Sequence, residues 1–139
     1  MPSRARLSRL ILWALYGAFA AFAIFSNLDE TTFRFDVPFG GVKAIVWLAL
    51  LVFLGYSIYC STKENFFRSV KSIASLFWGR QVGIDLYLGL GVGMFLIFLK
   101  DGLLIALIWL VPMLIYANLV FLLYLALQFD EIVARMLTL

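Results

Sequence analysis

A single carboxylate, Asp85, interrupts the run VGIDLYLGLGVG over residues 82–93, which is otherwise apolar and rich in glycine. A charge inside a membrane segment costs about 2.5 kcal/mol or more at the bilayer centre, so such groups face a partner, a water-filled pocket or a transported species. Tyr87 follows two residues later, and the next apolar segment carries Asn118 and Tyr124. An acid grouped with an amide and two phenols suits binding of a proton, a cation or a hydrogen-bonding solute. It also suits a second role, in which Asp85 pairs with a cation to fix helix register and Asn118 acts as packing glue. The sequence leaves both open, with register as the expectation.

Few other residues offer chemistry. Histidine is absent and Cys60 is the lone cysteine, which removes internal disulfides, cysteine clusters and the commonest metal and haem ligand. Gly89 to Gly93 reads GLGVG, but no strand precedes it and no Lys-Ser/Thr pair follows, so it is not a phosphate-cradling loop. No serine or cysteine nucleophile has a candidate base. No enzyme activity, metal, cofactor or nucleic-acid partner is expected.

Those residues must be positioned by membrane helices. Apolar residues make up 65% of 139 positions and charged residues 14%, far from the roughly half and quarter of a soluble domain. Four spans are read at 10–28, 42–60, 82–99 and 102–128, the last 27 residues long and the others within the roughly 17–25 that a crossing helix needs. At that depth backbone amides have no water, so the spans are expected to be helices. The fold class predicted is all-α: one integral membrane four-helix bundle over residues 1–139, with an interfacial helix between spans two and three. Arg4, Arg6 and Arg9 before an alanine-rich apolar run resemble a signal peptide, but the run is longer than usual and is read as a retained span.

Lysine and arginine set orientation. Arg4, Arg6, Arg9, Lys63, Arg68, Lys71, Arg80 and Arg135 fall on one side of such a bundle; Arg34, Lys43 and Lys100 fall on the other, diluted by Asp29, Glu30 and Asp36. Both termini are thus expected in the cytoplasm and the chain in the cell (inner) membrane. The bias argues against dual-topology insertion.

Residues 64–78 have a helical period, with Phe66, Val70, Ile73 and Phe77 on one side and Arg68, Lys71, Ser72 and Ser75 mostly opposite. The expectation is an amphipathic connector, capped by Asn65 or Thr62 and ended by Gly79, that meets headgroups or a partner through Phe66, Arg68, Val70, Lys71, Phe77 and Trp78. On the outer side, Phe33, Phe35 and Val37 alternate with Thr32, Arg34 and Asp36, a period of two that predicts a short extended segment.

Spans three and four are separated only by Lys100, Asp101 and Gly102 and are read as a hairpin. Gly89 and Gly93 share a face that another helix can approach closely. Helix rise counted from the inner ends puts Tyr124 and Gln128 level with Asp85, and Asn118 opposite Gly91 and Gly93. The contacts expected are Tyr124 hydroxyl to Asp85, and Asn118 amide across the glycines. Pro112 is expected to kink span four. Asp130 and Glu131 are read as surface charges facing the basic interfacial helix, and Trp13, Trp47, Trp78 and Trp109 as interface and packing residues.

The runs RQVGIDLYLG (80–89) and ANLVFLLYL (117–125) resemble the two C-terminal spans of an uncharacterised family of small multi-pass membrane proteins, a domain of unknown function. Its pattern is Asp-x-Tyr-x-Gly, then a Gly-Asn pair, then a tyrosine. The matching positions are Asp85, Tyr87, Gly89, Asn118 and Tyr124, with Ala117 where the family tends to have glycine. The resemblance implies no reaction, only that Asp85 and Asn118 belong to one constellation. Function is therefore expected to be that of a structural or accessory subunit, partnered by the bilayer and by other membrane subunits or itself. The alternative is a small homo-oligomeric transporter or channel built on Asp85.

Overall fold

The computed structural model describes residues 4–28, 30 and 32–138, apart from the side chain of residue 5; Asp29, part of the charge count, lies outside the described residues. Among the described residues the regular elements are all helices: α1 Arg4–Ser26, α2 Gly40–Lys63, α3 Phe66–Ala74, α4 Phe77–Asp101, α5 Leu103–Tyr116 and α6 Asn118–Leu137. Three of these, α1, α2 and α4, are long and apolar enough to cross a membrane. They coincide with the first three predicted spans, each extended by a turn or so at one or both ends.

The predicted fourth span is not one rod. It breaks at Ala117, whose backbone sits at φ 50°, ψ −118°, while Pro112 lies within α5 without ending it. Beyond the break α6 reverses. Its Gln128 accepts from Lys100 at the far end of α4 and donates to Asn27 just past α1, and its Asp130 pairs with Lys43 at the start of α2. Helices α5 and α6 thus form a re-entrant hairpin that enters and leaves at the same end of the bundle. At about 1.5 Å per residue its tip lies roughly 16–20 Å from that end.

In this geometry the two tails lie at opposite ends of the bundle, where the four-span expectation has them at the same end. Arg135 donates to the Lys100 carbonyl at 3.1 Å, whereas Arg9 and Trp13 bond Ser61 at the opposite end, at 2.9 and 2.8 Å. A positive φ suits glycine, because a β-carbon crowds the backbone there. Ala117→Gly is expected to raise stability by about 1 kcal/mol, read as a higher Tm in detergent; an unchanged or lower Tm would show that this backbone is unstrained.

The hairpin is the core, and the long helices pack chiefly on it: α2 along α6, α4 along α5, and α1 against both. The most deeply buried side chains include Ile97, Met113, Val120, Leu123 and Tyr124. The packed stripe of α2 is Gly40, Lys43, Trp47, Leu50, Leu54, Ser57 and Ser61, alternately three and four apart; that spacing keeps one narrow seam facing inward, onto α6 at Lys43 and onto α1 at Ser61. The remaining surface of α2 is almost wholly apolar and uncovered, as lipid requires. Of the glycines at 83, 89, 91 and 93 in α4, Gly93 alone is approached closely: a β-carbon there would lie 2.7 Å from the Phe121 ring of α6. Gly83, Gly89 and Gly91 face open space, so the expected glycine clasp reduces to one residue.

The interfacial helix is present but shorter than predicted. Asn65 caps it by accepting from the Arg68 amide at 3.1 Å, and Arg80 donates to the Ala74 carbonyl near its C-terminus at 2.6 Å. Gly79 does not end it. Gly79 lies in the first turn of α4, where a β-carbon would collide with the Ile73 carbonyl 2.0 Å away, so it allows the two helices to cross closely. Phe77 and Trp78 accordingly belong to α4. The outer loop forms no extended segment among the described residues: Arg34 and Asp36 pair two residues apart and bend the chain, Phe33 packs on Trp47 at 5.4 Å between ring centres, and Phe35 lies under the Lys43 ammonium. Its hydrogen bond to Arg34 holds the Asp36 carboxyl below its ordinary pKa.

Candidate functional site

The polar groups that converge are those at the mouth of the hairpin. Lys100 is the hub, placed there because α4 ends one residue later. Its ammonium donates to Asp101 Oδ1 at 2.9 Å and Gln128 Oε1 at 2.9 Å, and pairs with Glu131 Oε2 at 3.2 Å. Three acceptors match the three N–H bonds of an ammonium. Tyr124 donates to Asp101 Oδ2, Gln128 Nε2 donates to Asn27 Oδ1 at 2.6 Å, and Arg135 closes on Glu131 at 3.0 Å. The chain Asn27–Gln128–Lys100–Asp101–Tyr124 therefore links the ends of α1 and α4 through α6.

A second pair sits beside it. The Lys43 side chain is only 1% exposed, yet its ammonium pairs with Asp130 Oδ2 at 2.8 Å and donates to the Arg34 carbonyl at 3.0 Å. The other Asp130 oxygen is buried with no hydrogen-bond partner among the described residues. Position 43 falls on the packed seam of α2, so the periodicity that seats Trp47 and Leu50 against α6 also drives a charge inward. With these pairs Asp130 and Glu131 face Lys43 and Lys100, which corrects their expected contact with the basic α3.

The residues singled out from sequence are dispersed. Tyr124 bonds Asp101 rather than Asp85, because α6 runs outward from the tip and carries Tyr124 away from the inner end. Tyr87 donates to the Leu114 carbonyl at 2.8 Å, a group left open by the break at Ala117; irregular backbone at membrane depth requires such a partner. Gly93 packs on Phe121 as described. Asp85, Gly89 and Asn118 are exposed, with Asp85 and Gly89 sharing an uncovered stripe of α4 and Asn118 at the hairpin tip. Phe66, Arg68, Val70, Lys71, Phe77 and Trp78 are likewise exposed at the end opposite the hairpin mouth.

Sequence reasoning passed over Asn27, used Lys43, Lys100 and Asp101 only as loop or connecting groups, and put Gln128 at the other end of the bundle, level with Asp85. One signal was available: Lys43 lies three residues inside α2 on the same helical stripe as Trp47, Leu50 and Leu54, and a charge on a packed apolar stripe suggests a buried counter-charge. Beside the cluster is a cleft of about 280 Å³ between α1, α5 and α6, walled by Phe19, Phe22, Ile105, Ile108 and Trp109 and edged by Asn27, Asp101, Tyr124 and Gln128. Among the described residues no three His, Cys, Asp or Glu side chains converge so as to hold a metal ion. Within the site, the carboxylates and ammoniums bond one another, which suits mechanical joining of helices and hydrogen bonding to a neutral guest. Comparison with protein-family models, curated proteins and solved structures finds no match for this chain.

Proposed function

We propose that this chain is a non-catalytic structural subunit of a larger assembly in the cell (inner) membrane. The observation that carries this reading is Asp85. The buried charges at the hairpin mouth are paired within the chain, whereas Asp85 sits on an uncovered, otherwise apolar stripe of α4 with Gly89 one turn away. Arg80 and Lys100 are 20 positions apart in the sequence, about 30 Å along a helix and so about one hydrocarbon thickness. On that scale Asp85 lies about 7 Å inside the membrane, where a carboxylate facing acyl chains is unfavourable and a neighbouring subunit relieves it.

The proposed orientation follows from the same helices. Arg4, Arg6, Arg9, Lys63, Arg68, Lys71 and Arg80 lie at the N-terminal end; Arg34, Lys43, Lys100 and Arg135 lie at the hairpin mouth, each beside an acid. The larger number of lysines and arginines at the N-terminal end puts the N-terminus in the cytoplasm, and three crossings then carry the C-terminal segment outside. Native mass spectrometry of the protein extracted in mild detergent tests the reading. Stoichiometric partner subunits are expected with the wild type and are lost with Asp85→Lys. A bare homo-oligomer whose proton or ion flux in liposomes disappears with Asp85→Asn would replace this reading with the transporter.

A further inference from the structure

We infer that the cleft between α1, α5 and α6 is a binding site for one acyl chain of a neutral or zwitterionic ester lipid. Its walls are aromatic and aliphatic: Phe19 and Phe22 on α1, and Ile105, Ile108 and Trp109 on α5. Side chains of this kind select an apolar chain. Ile105 and Ile108 are partly exposed on the outer surface of the hairpin, so the cleft is continuous with the lipid-facing side of the molecule.

The rim sets the head chemistry. Lys100 is spent on Asp101, Gln128 and Glu131, Arg135 on Glu131, and Tyr124 on Asp101. No charge at the rim is left uncompensated, which disfavours an anionic or cationic guest. The two carboxamides differ in this respect. Asn27 Nδ2 donates to the Ala23 carbonyl at 2.8 Å and Gln128 Nε2 to Asn27 Oδ1 at 2.6 Å; each nitrogen carries two N–H bonds, so each keeps one donor. Two spare donors at the edge of an apolar slot call for a carbonyl acceptor at the head of an apolar chain, which is the ester of an acyl lipid. A prenylated quinone shares that chemistry and is the competing source. This inference is independent of the subunit reading above, since it concerns a different face.

The test uses the full chain in nanodiscs containing phosphatidylcholine with a diazirine on one acyl chain. Photolabel is expected to concentrate in peptides covering residues 19–27 and 105–109, and to be lost from them in Ile108→Trp and in Ile105→Trp, which fill the cleft from exposed positions. Label spread evenly over the outward face of α2, or undiminished in both folded variants, would overturn the site. Diester phosphatidylcholine is expected to compete about fivefold better than its diether counterpart, the worth of about one hydrogen bond. Equal competition would overturn the carbonyl contact. Displacement by a long-chain quinone at lower concentration than the diester would overturn the lipid assignment in favour of the quinone.

Discussion

Lys43→Met is expected to destabilise the protein by about 3–5 kcal/mol, the usual result of removing one partner from a buried ion pair. The penalty arises on Asp130: with the ammonium gone, a carboxylate packed between α2 and α6 loses its counter-charge, and one of its oxygens already lacks a hydrogen-bond partner. The Arg34 carbonyl loses its donor as well, so the outer loop is expected to loosen with the helix pair. Because the loss is one of pairing rather than of volume, Lys43→Met combined with Asp130→Leu should recover most of the stability and could exceed the wild type. Thermal unfolding in detergent, followed by helical circular dichroism, measures both. A single variant within 1 kcal/mol of the wild type, or a double variant no better than the single, would show that the pair does not join α2 to α6.

The second large effect is expected at Lys100. Lys100→Met leaves Asp101 with only the Tyr124 hydroxyl, deprives Gln128 of its donor and frees Glu131 for Arg135 alone. The Lys100 side chain is 10% exposed and that of Asp101 19%, so solvent offsets part of the loss; about 2–3 kcal/mol remains, below the figure for a fully buried pair. The distinguishing readout is local. A cysteine introduced at Ile105, on the first turns of α5, should become faster to label with a membrane-permeant maleimide in Lys100→Met, while one at Leu51 on the outward face of α2 should not change. Equal rates at Ile105 in both backgrounds would mean that Lys100 does not hold the hairpin mouth together.

The parts of this molecule legible in its sequence are those set by one-dimensional hydropathy. Helices α1, α2 and α4 follow from apolar length, and α3 follows from its period and from Asn65 ahead of Phe66. The reversal at Ala117 had no such signal. Alanine favours helix, the visible breaker Pro112 lies five residues earlier, and a 27-residue apolar stretch is as long as a tilted span. Once that turn was read as straight, the depth of every residue after it was inverted, and Tyr124 was matched to Asp85 instead of Asp101. The Lys43–Asp130 contact, 87 positions apart, was hidden for the same reason: each residue reads as an interfacial charge until α6 is known to run beside α2. Tyr87 and Gly93 meet the hairpin because the short Lys100–Gly102 connection holds α4 against it.

Since α1, α2 and α4 rest chiefly on the hairpin rather than on each other, the piece that unites them is also the one synthesised after them. During biogenesis the earlier segments must therefore wait in the bilayer as separate cylinders, and the Lys43–Asp130 pair forms only after residue 130 leaves the ribosome. Chains terminated ahead of α6 would insert without the helix on which α2 rests, a difference by which membrane proteases and insertion chaperones can sort unfinished copies from mature ones.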